Sequence, residues 1–176
     1  MKRIAVLFLA LTLAVTVSAQ KYDITKLVEI AEVESNDESI LSVFSIPDET
    51  GQATCFLCVG SMGLGDEIIQ IDVDPINKLF IPLGTTRAEI MDTLEGLKQH
   101  FEEPAGTSFE VTGCFAPAIP NGNRETVTVT TRKVLFGKKL EFKLERDGII
   151  RATYVSRSDF KTLMVNVKLN KRWLPE

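Results

Sequence analysis

Histidine occurs once in this 176-residue chain, at His100, and cysteine three times, at Cys55, Cys58 and Cys114. One imidazole leaves a Ser-His-Asp triad a single base to draw on. Ser61 lies in Val-Gly-Ser-Met-Gly, where Val59 stands in place of the first glycine of a nucleophile elbow. Zinc ligation is equally short of partners, since structural sites bring their ligands in two close pairs, whereas beyond Cys55 and Cys58 the remaining Cys114 and His100 lie far apart in sequence. His100 falls on the flank of a helical stripe and reads as a surface or boundary residue. Gly60, Gly63 and Gly65 lack the following lysine and hydroxyl of a phosphate loop, so they read as turn residues. No repeat, low-complexity stretch or cofactor motif is present, and no long apolar segment follows the first one.

That first apolar segment is informative. Lys2 and Arg3 precede an unbroken run from Ile4 to Ala10, and the apolar stretch ends at Val17-Ser18-Ala19. A charged start, an apolar middle and small residues before the cut make a secretory signal peptide, with cleavage expected after Ala19. The run is shorter than the roughly 20 residues that span a bilayer, and Thr12 and Thr16 interrupt it. Gln20, not cysteine, follows the cut, so lipid attachment there has no acceptor. The expectation is a signal peptide at 1–19 and one exported, periplasmic or secreted globular domain at 20–176, not integral to a membrane after cleavage.

Charge is divided along this domain. Residues 20–103 carry 5 Lys/Arg against 17 Asp/Glu, and residues 104–176 carry 13 against 7. The halves either neutralise each other in one fold, or the C-terminal half offers a basic face to a protein or an anionic glycan or lipid. The formal net charge of −4 argues against nucleic acid.

Hydrophobic periodicity predicts mostly strands. Ser39 to Ile46, Ala53 to Val59, Glu67 to Val73 and the Leu79-Ile81-Leu83 alternation come first, with a turn at Pro47 to Gly51. One helix is predicted over about 86–103: Thr86-Arg87-Ala88-Glu89 is a capping box, Ile90, Leu94, Leu97 and Phe101 form a stripe, and Pro104 bars continuation. Strands are then expected at Ser108 to Ala116, Glu125 to Phe136, Leu140 to Glu145, Ile149 to Val155 and Phe160 to Leu169. A three-residue loop at Arg146-Asp147-Gly148 would set Leu144 opposite Ile150 and keep the apolar faces together. Asp23 to Val33 suits helix or strand. The fold class is α+β: antiparallel β-meanders forming a sheet or sandwich packed against one long helix.

Cys55-Phe56-Leu57-Cys58 is the one C-x-x-C. Reactive dithiols sit at helix N-termini, whereas this pair lies in a strand-like run. Residues three apart in a strand face opposite ways with Cα atoms about 10 Å apart, beyond the roughly 7 Å a disulfide bridges. Buried core thiols, a bridge from Cys55 or Cys58 to Cys114, and a thiol-active centre stay open. Asp72 and Asp74 share a strand face and are the only paired carboxylates singled out; with Asn77 they lack the glycine of an EF-hand loop.

The segment Ile81-Pro82-Leu83-Gly84-Thr85-Thr86-Arg87-Ala88-Glu89-Ile90-Met91-Asp92-Thr93-Leu94 resembles the strand, glycine, capped-helix unit of small exported α+β families, among them outer-membrane assembly lipoproteins and β-lactamase inhibitor-like modules. The resemblance implies protein binding rather than turnover, and the lipid-anchor cysteine of the first family is missing. The functional expectation is thus a non-catalytic exported binding module, with a thiol-active protein using Cys55 and Cys58 as the alternative.

Overall fold

The computed structural model describes residues 22–34, 39–61, 78–115, 124–146 and 149–170. Eight strands follow one another: β1 (Val28–Glu34), β2 (Ser39–Pro47), β3 (Ala53–Ser61), β4 (Lys78–Gly84), β5 (Ser108–Phe115), β6 (Glu125–Val134), β7 (Gly137–Arg146) and β8 (Ile149–Ser156). They form one sheet in sequential order, each antiparallel to the next. Two helices pack on it, α1 (Arg87–Gln99), which runs into a 3-10 turn at His100–Glu102, and α2 (Arg157–Leu169). The signal-peptide segment and the expected Glu67 to Val73 strand lie outside the described residues.

The turn expected at Pro47 to Gly51 is built by Asp48, whose carboxylate accepts from the Thr50 and Gln52 backbone N–H groups. The capping box also forms. Thr86 Oγ1 accepts from the Glu89 N–H, while Glu89 Oε2 accepts from the N–H groups of Thr85 at 2.7 Å and Thr86 at 3.2 Å. Gly84 permits this: its φ is 141°, and a β-carbon there would stand 2.5 Å from Glu89 Cβ.

Where the sequence predicted one long helix, there are two. Phe160 to Leu169, expected as a strand, is α2. Ser156 caps it by accepting from the Asp159 N–H, and Phe160, Leu163, Met164 and Val167 bury one helical stripe. The β7–β8 hairpin pairs Arg146 with Ile149 and Leu144 with Arg151, so its loop has two residues, not three. The longer loop was expected because it faced apolar residues with each other. The opposite parity wins because Thr153 and Val155 turn inward, and Thr153 Oγ1 donates to the Gly60 carbonyl of β3 at 2.8 Å. Ile150 is left 54% exposed on the other face. Asp23 to Val33 resolves into a 3-10 turn at Ile24–Lys26 followed by β1.

The Thr153–Gly60 bond joins strands five positions apart, so the sheet curls between them. Among the described residues its least extensive pairing is β4 with β5, where Leu79–Phe115 and Phe80–Cys114 are in register. Gly113 makes that seam close: a β-carbon there would meet the Phe80 carbonyl oxygen at 2.6 Å. Inside the curl, Val43, Leu57, Leu79, Val129 and Phe142 pack against Ile90, Leu94 and Phe101 of the α1 segment and Phe160, Leu163 and Val167 of α2. Burying each such side chain contributes about 1.5–3 kcal/mol. A second cluster on the other face joins Ile40, Phe44 and Ile46 to Phe56, Phe80 and Tyr22, and leaves β2 buried on both sides.

The last helix closes the first strand. The register of β1 slips at Ile30, a bulge between Glu29 and Ala31. The Ile30 carbonyl accepts from Asn170 Nδ2 at 2.8 Å, and the Glu32 carbonyl from Asn166 Nδ2 at 3.3 Å. Arg87 Nη2 in turn donates to the Lys168 carbonyl at 2.5 Å, tying α1 to the end of α2.

Candidate functional site

The expected strand from Glu125 to Phe136 stops two residues early. β6 ends at Val134, β7 starts at Gly137, and these two are in register, so Leu135 and Phe136 alone make the turn. Gly137 has φ 114°, a left-handed conformation that lets the return strand begin at once. Both turn residues project from the fold, Leu135 at 96% and Phe136 at 99% exposure. Turns are ordinarily built from small or polar residues, so two large apolar side chains at an apex invert the usual composition.

The strand ends behind this apex are basic. Lys133 lies opposite Lys138 and Arg132 opposite Lys139. Like charges directly opposite across an antiparallel pair are destabilising, so the arrangement works against the hairpin that holds it. Within the protein, Arg132 pairs with Glu141 at 2.5 Å, and Lys138 Nζ donates to the Glu102 and Glu103 carbonyls at 3.1 and 2.5 Å, at the negative end of the α1 segment.

Beside the hairpin runs an open groove of about 780 Å³, lined by it, by Phe101, Glu102, Pro104 and Ala105, and by the start of α2 at Ser156 to Ser158 with Lys161. Among the described residues five cations, Lys133, Lys138, Lys139, Arg157 and Lys161, line it against one carboxylate, Glu102. Glu102 is engaged by Arg157 Nη2, and Arg157 Nε has no hydrogen-bond partner. Lys133 and Lys161 are exposed to solvent. The N-terminus of α2, with its partial positive charge, opens on the same side. The groove and tip can therefore hold negative charge beside an apolar contact.

The three thiols lie elsewhere, buried and in no disulfide among the described residues. Cys55 belongs to the main core, whereas Cys58 and Cys114 belong to the second cluster, so the C-x-x-C sulfurs face opposite sides of β3. Cys58 and Cys114 flank Phe80 on β3 and β5, two strand spacings apart, about 9–10 Å. That exceeds what a disulfide spans. Burial pushes the Cys55 thiol up to about 11, a hydrogen bond with Ser45 opposing, and Cys58 to about 12, the charge of Lys78 opposing. Cys114 is raised by burial as well. Such thiols are protonated at neutral pH and poor nucleophiles.

His100 stands at a boundary, stacked on Phe109 with ring centroids 3.5 Å apart, its Nδ1 2.9 Å from Glu103 Oε1. Asp72, Asp74 and Asn77 lie outside the described residues. Among the described residues, no three His, Cys, Asp or Glu side chains group as metal ligands. Sequence reasoning missed the groove and the tip. The signal for the tip was Arg132-Lys133-Val134-Leu135-Phe136-Gly137-Lys138-Lys139, a glycine after two large apolar residues with cations on both sides. Comparison with protein-family models, curated proteins and solved structures finds no match to this chain.

Proposed function

We propose that this protein is an exported, non-catalytic binding module that engages an anionic partner through the groove and apex of the β6–β7 hairpin. One observation carries the reading: Leu135 and Phe136 stand fully exposed beside a groove lined, among the described residues, by five cations and a single carboxylate. Monomeric proteins do not ordinarily hold large apolar side chains out at an apex without a contact to make. The like-charged pairs Lys133–Lys138 and Arg132–Lys139 add to it, because a partner's negative charge relieves their repulsion. Export is inferred from the Lys2-Arg3 start, the apolar run and Val17-Ser18-Ala19. The buried, protonated thiols favour binding over thiol chemistry.

The test is retention on immobilised heparin at pH 7. The chain is negatively charged overall, at −4, so a uniform charge distribution would carry it through. Expected is retention at low salt, elution as ionic strength rises, and earlier elution of the Lys133→Gln/Lys161→Gln variant. Flow-through of the parent protein at low salt would overturn the proposal.

A further inference from the structure

We infer that the anionic partner is the surface of a phospholipid bilayer, into which Leu135 and Phe136 insert while the surrounding lysines meet the phosphates. The inference rests on the anionic-partner reading above and names the partner's class. Three features point to a layered partner. The apolar contact is convex, two adjacent side chains at 96% and 99% exposure on the apex of a two-residue turn, which suits entry into a soft medium. The cations are set back from it along the strands, Lys133 two residues before Leu135 and Lys139 three residues after Phe136. At about 3.3 Å of strand rise per residue, that offset is roughly 6–10 Å. Apolar groups of interfacial proteins sit about 5–10 Å into the headgroup and acyl boundary, so lysines so placed come level with the phosphates when the apex is inserted.

Lys161, at the start of the second turn of α2, lines the same groove and widens the basic collar beyond the hairpin. Val134 is half-buried between the apex and the groove, continuing apolar surface inward from the tip. Two inserted side chains with a few lysines make a weak, reversible anchor. Binding to neutral lipid is therefore slight, and anionic lipid is required.

The experiment is flotation of the purified protein with vesicles of phosphatidylcholine alone, or of phosphatidylcholine with 30% phosphatidylglycerol, alongside the heparin measurement. Expected is binding to the anionic vesicles, weakened by salt, with little binding to the neutral ones. Leu135→Ser/Phe136→Ser lowers vesicle partitioning at least tenfold. Lys133→Gln/Lys161→Gln lowers partitioning about fivefold per lysine and weakens heparin retention too. Circular dichroism and thermal unfolding of each variant should match the parent, since all four side chains are exposed. Heparin retention without vesicle binding, or vesicle binding indifferent to the serine substitutions, would overturn the bilayer inference and leave the anionic-partner reading standing. Failure to bind either matrix would overturn both.

Discussion

Cys58 keeps its proton to about pH 12 because the thiolate would have to sit, without water, between Ser42 and Phe80 on neighbouring strands. Native protein should therefore be nearly inert to Ellman's reagent at pH 8, with three thiols titrating once guanidinium unfolds it; prompt reaction of folded protein would contradict the packing. Because the folded-state thiol pKa values lie above the ordinary 9.0, the thiols' contribution to stability is complete below about pH 9 and declines as pH rises toward the folded values. Glu89 has the opposite sign. Hydrogen bonds from the Thr85 and Thr86 N–H groups hold its carboxyl below the ordinary 4.5, so its charge stabilises the fold above that value and the benefit is lost as pH falls through the folded pKa. Glu89→Gln keeps an acceptor but loses the charge. It should melt below the parent at pH 7, with the gap closing as the pH falls below the ordinary glutamate range and the carboxylate takes up its proton. A gap unchanged in acid would mean that charge at this cap is irrelevant.

Both helices begin with the same chemistry, a hydroxyl residue followed three positions later by a carboxylate: Thr86 with Glu89, and Ser156 with Asp159. The first was legible because an i, i+4 stripe follows and Pro104 ends it. The second was not, because Val165 and Val167 fit a strand and the apolar positions of Phe160 to Leu169 satisfy either period. The hairpin apex was lost for a related reason: Val134, Leu135 and Phe136 continue an apolar run, and composition alone does not place a turn inside one. Antiparallel pairing was readable where the connections are short, as between β2 and β3 and between β7 and β8. The curl was not, for it depends on how closely two backbones approach at Gly113. Gly113→Ala should destabilise the protein by about 1–3 kcal/mol in urea unfolding, through its clash with the Phe80 carbonyl at the β4–β5 seam. Gly96→Ala is the matched control. Its β-carbon meets nothing within 4 Å, and it should stabilise α1 by up to about 1 kcal/mol. Equal effects of the two would remove the seam's special standing.

At the scale of the molecule, the charge division of the sequence becomes a place. The excess of Lys and Arg after residue 104 was countable from composition, but the groove needs Glu102 to Ala105, Lys133 to Lys139 and Ser156 to Lys161 brought together, and no local pattern reports that. The closure of β1 by α2 concerns time as much as space. Each strand after β1 pairs with the one made just before, so the sheet can grow in the order of synthesis, with α1 formed between β4 and β5. The Ile30 carbonyl is one exception, because its partner Asn170 lies 140 residues downstream. Until the ribosome has delivered that residue, the nascent sheet has a ragged outer margin open to other chains, and the final helix acts as the latch that ends this vulnerable interval.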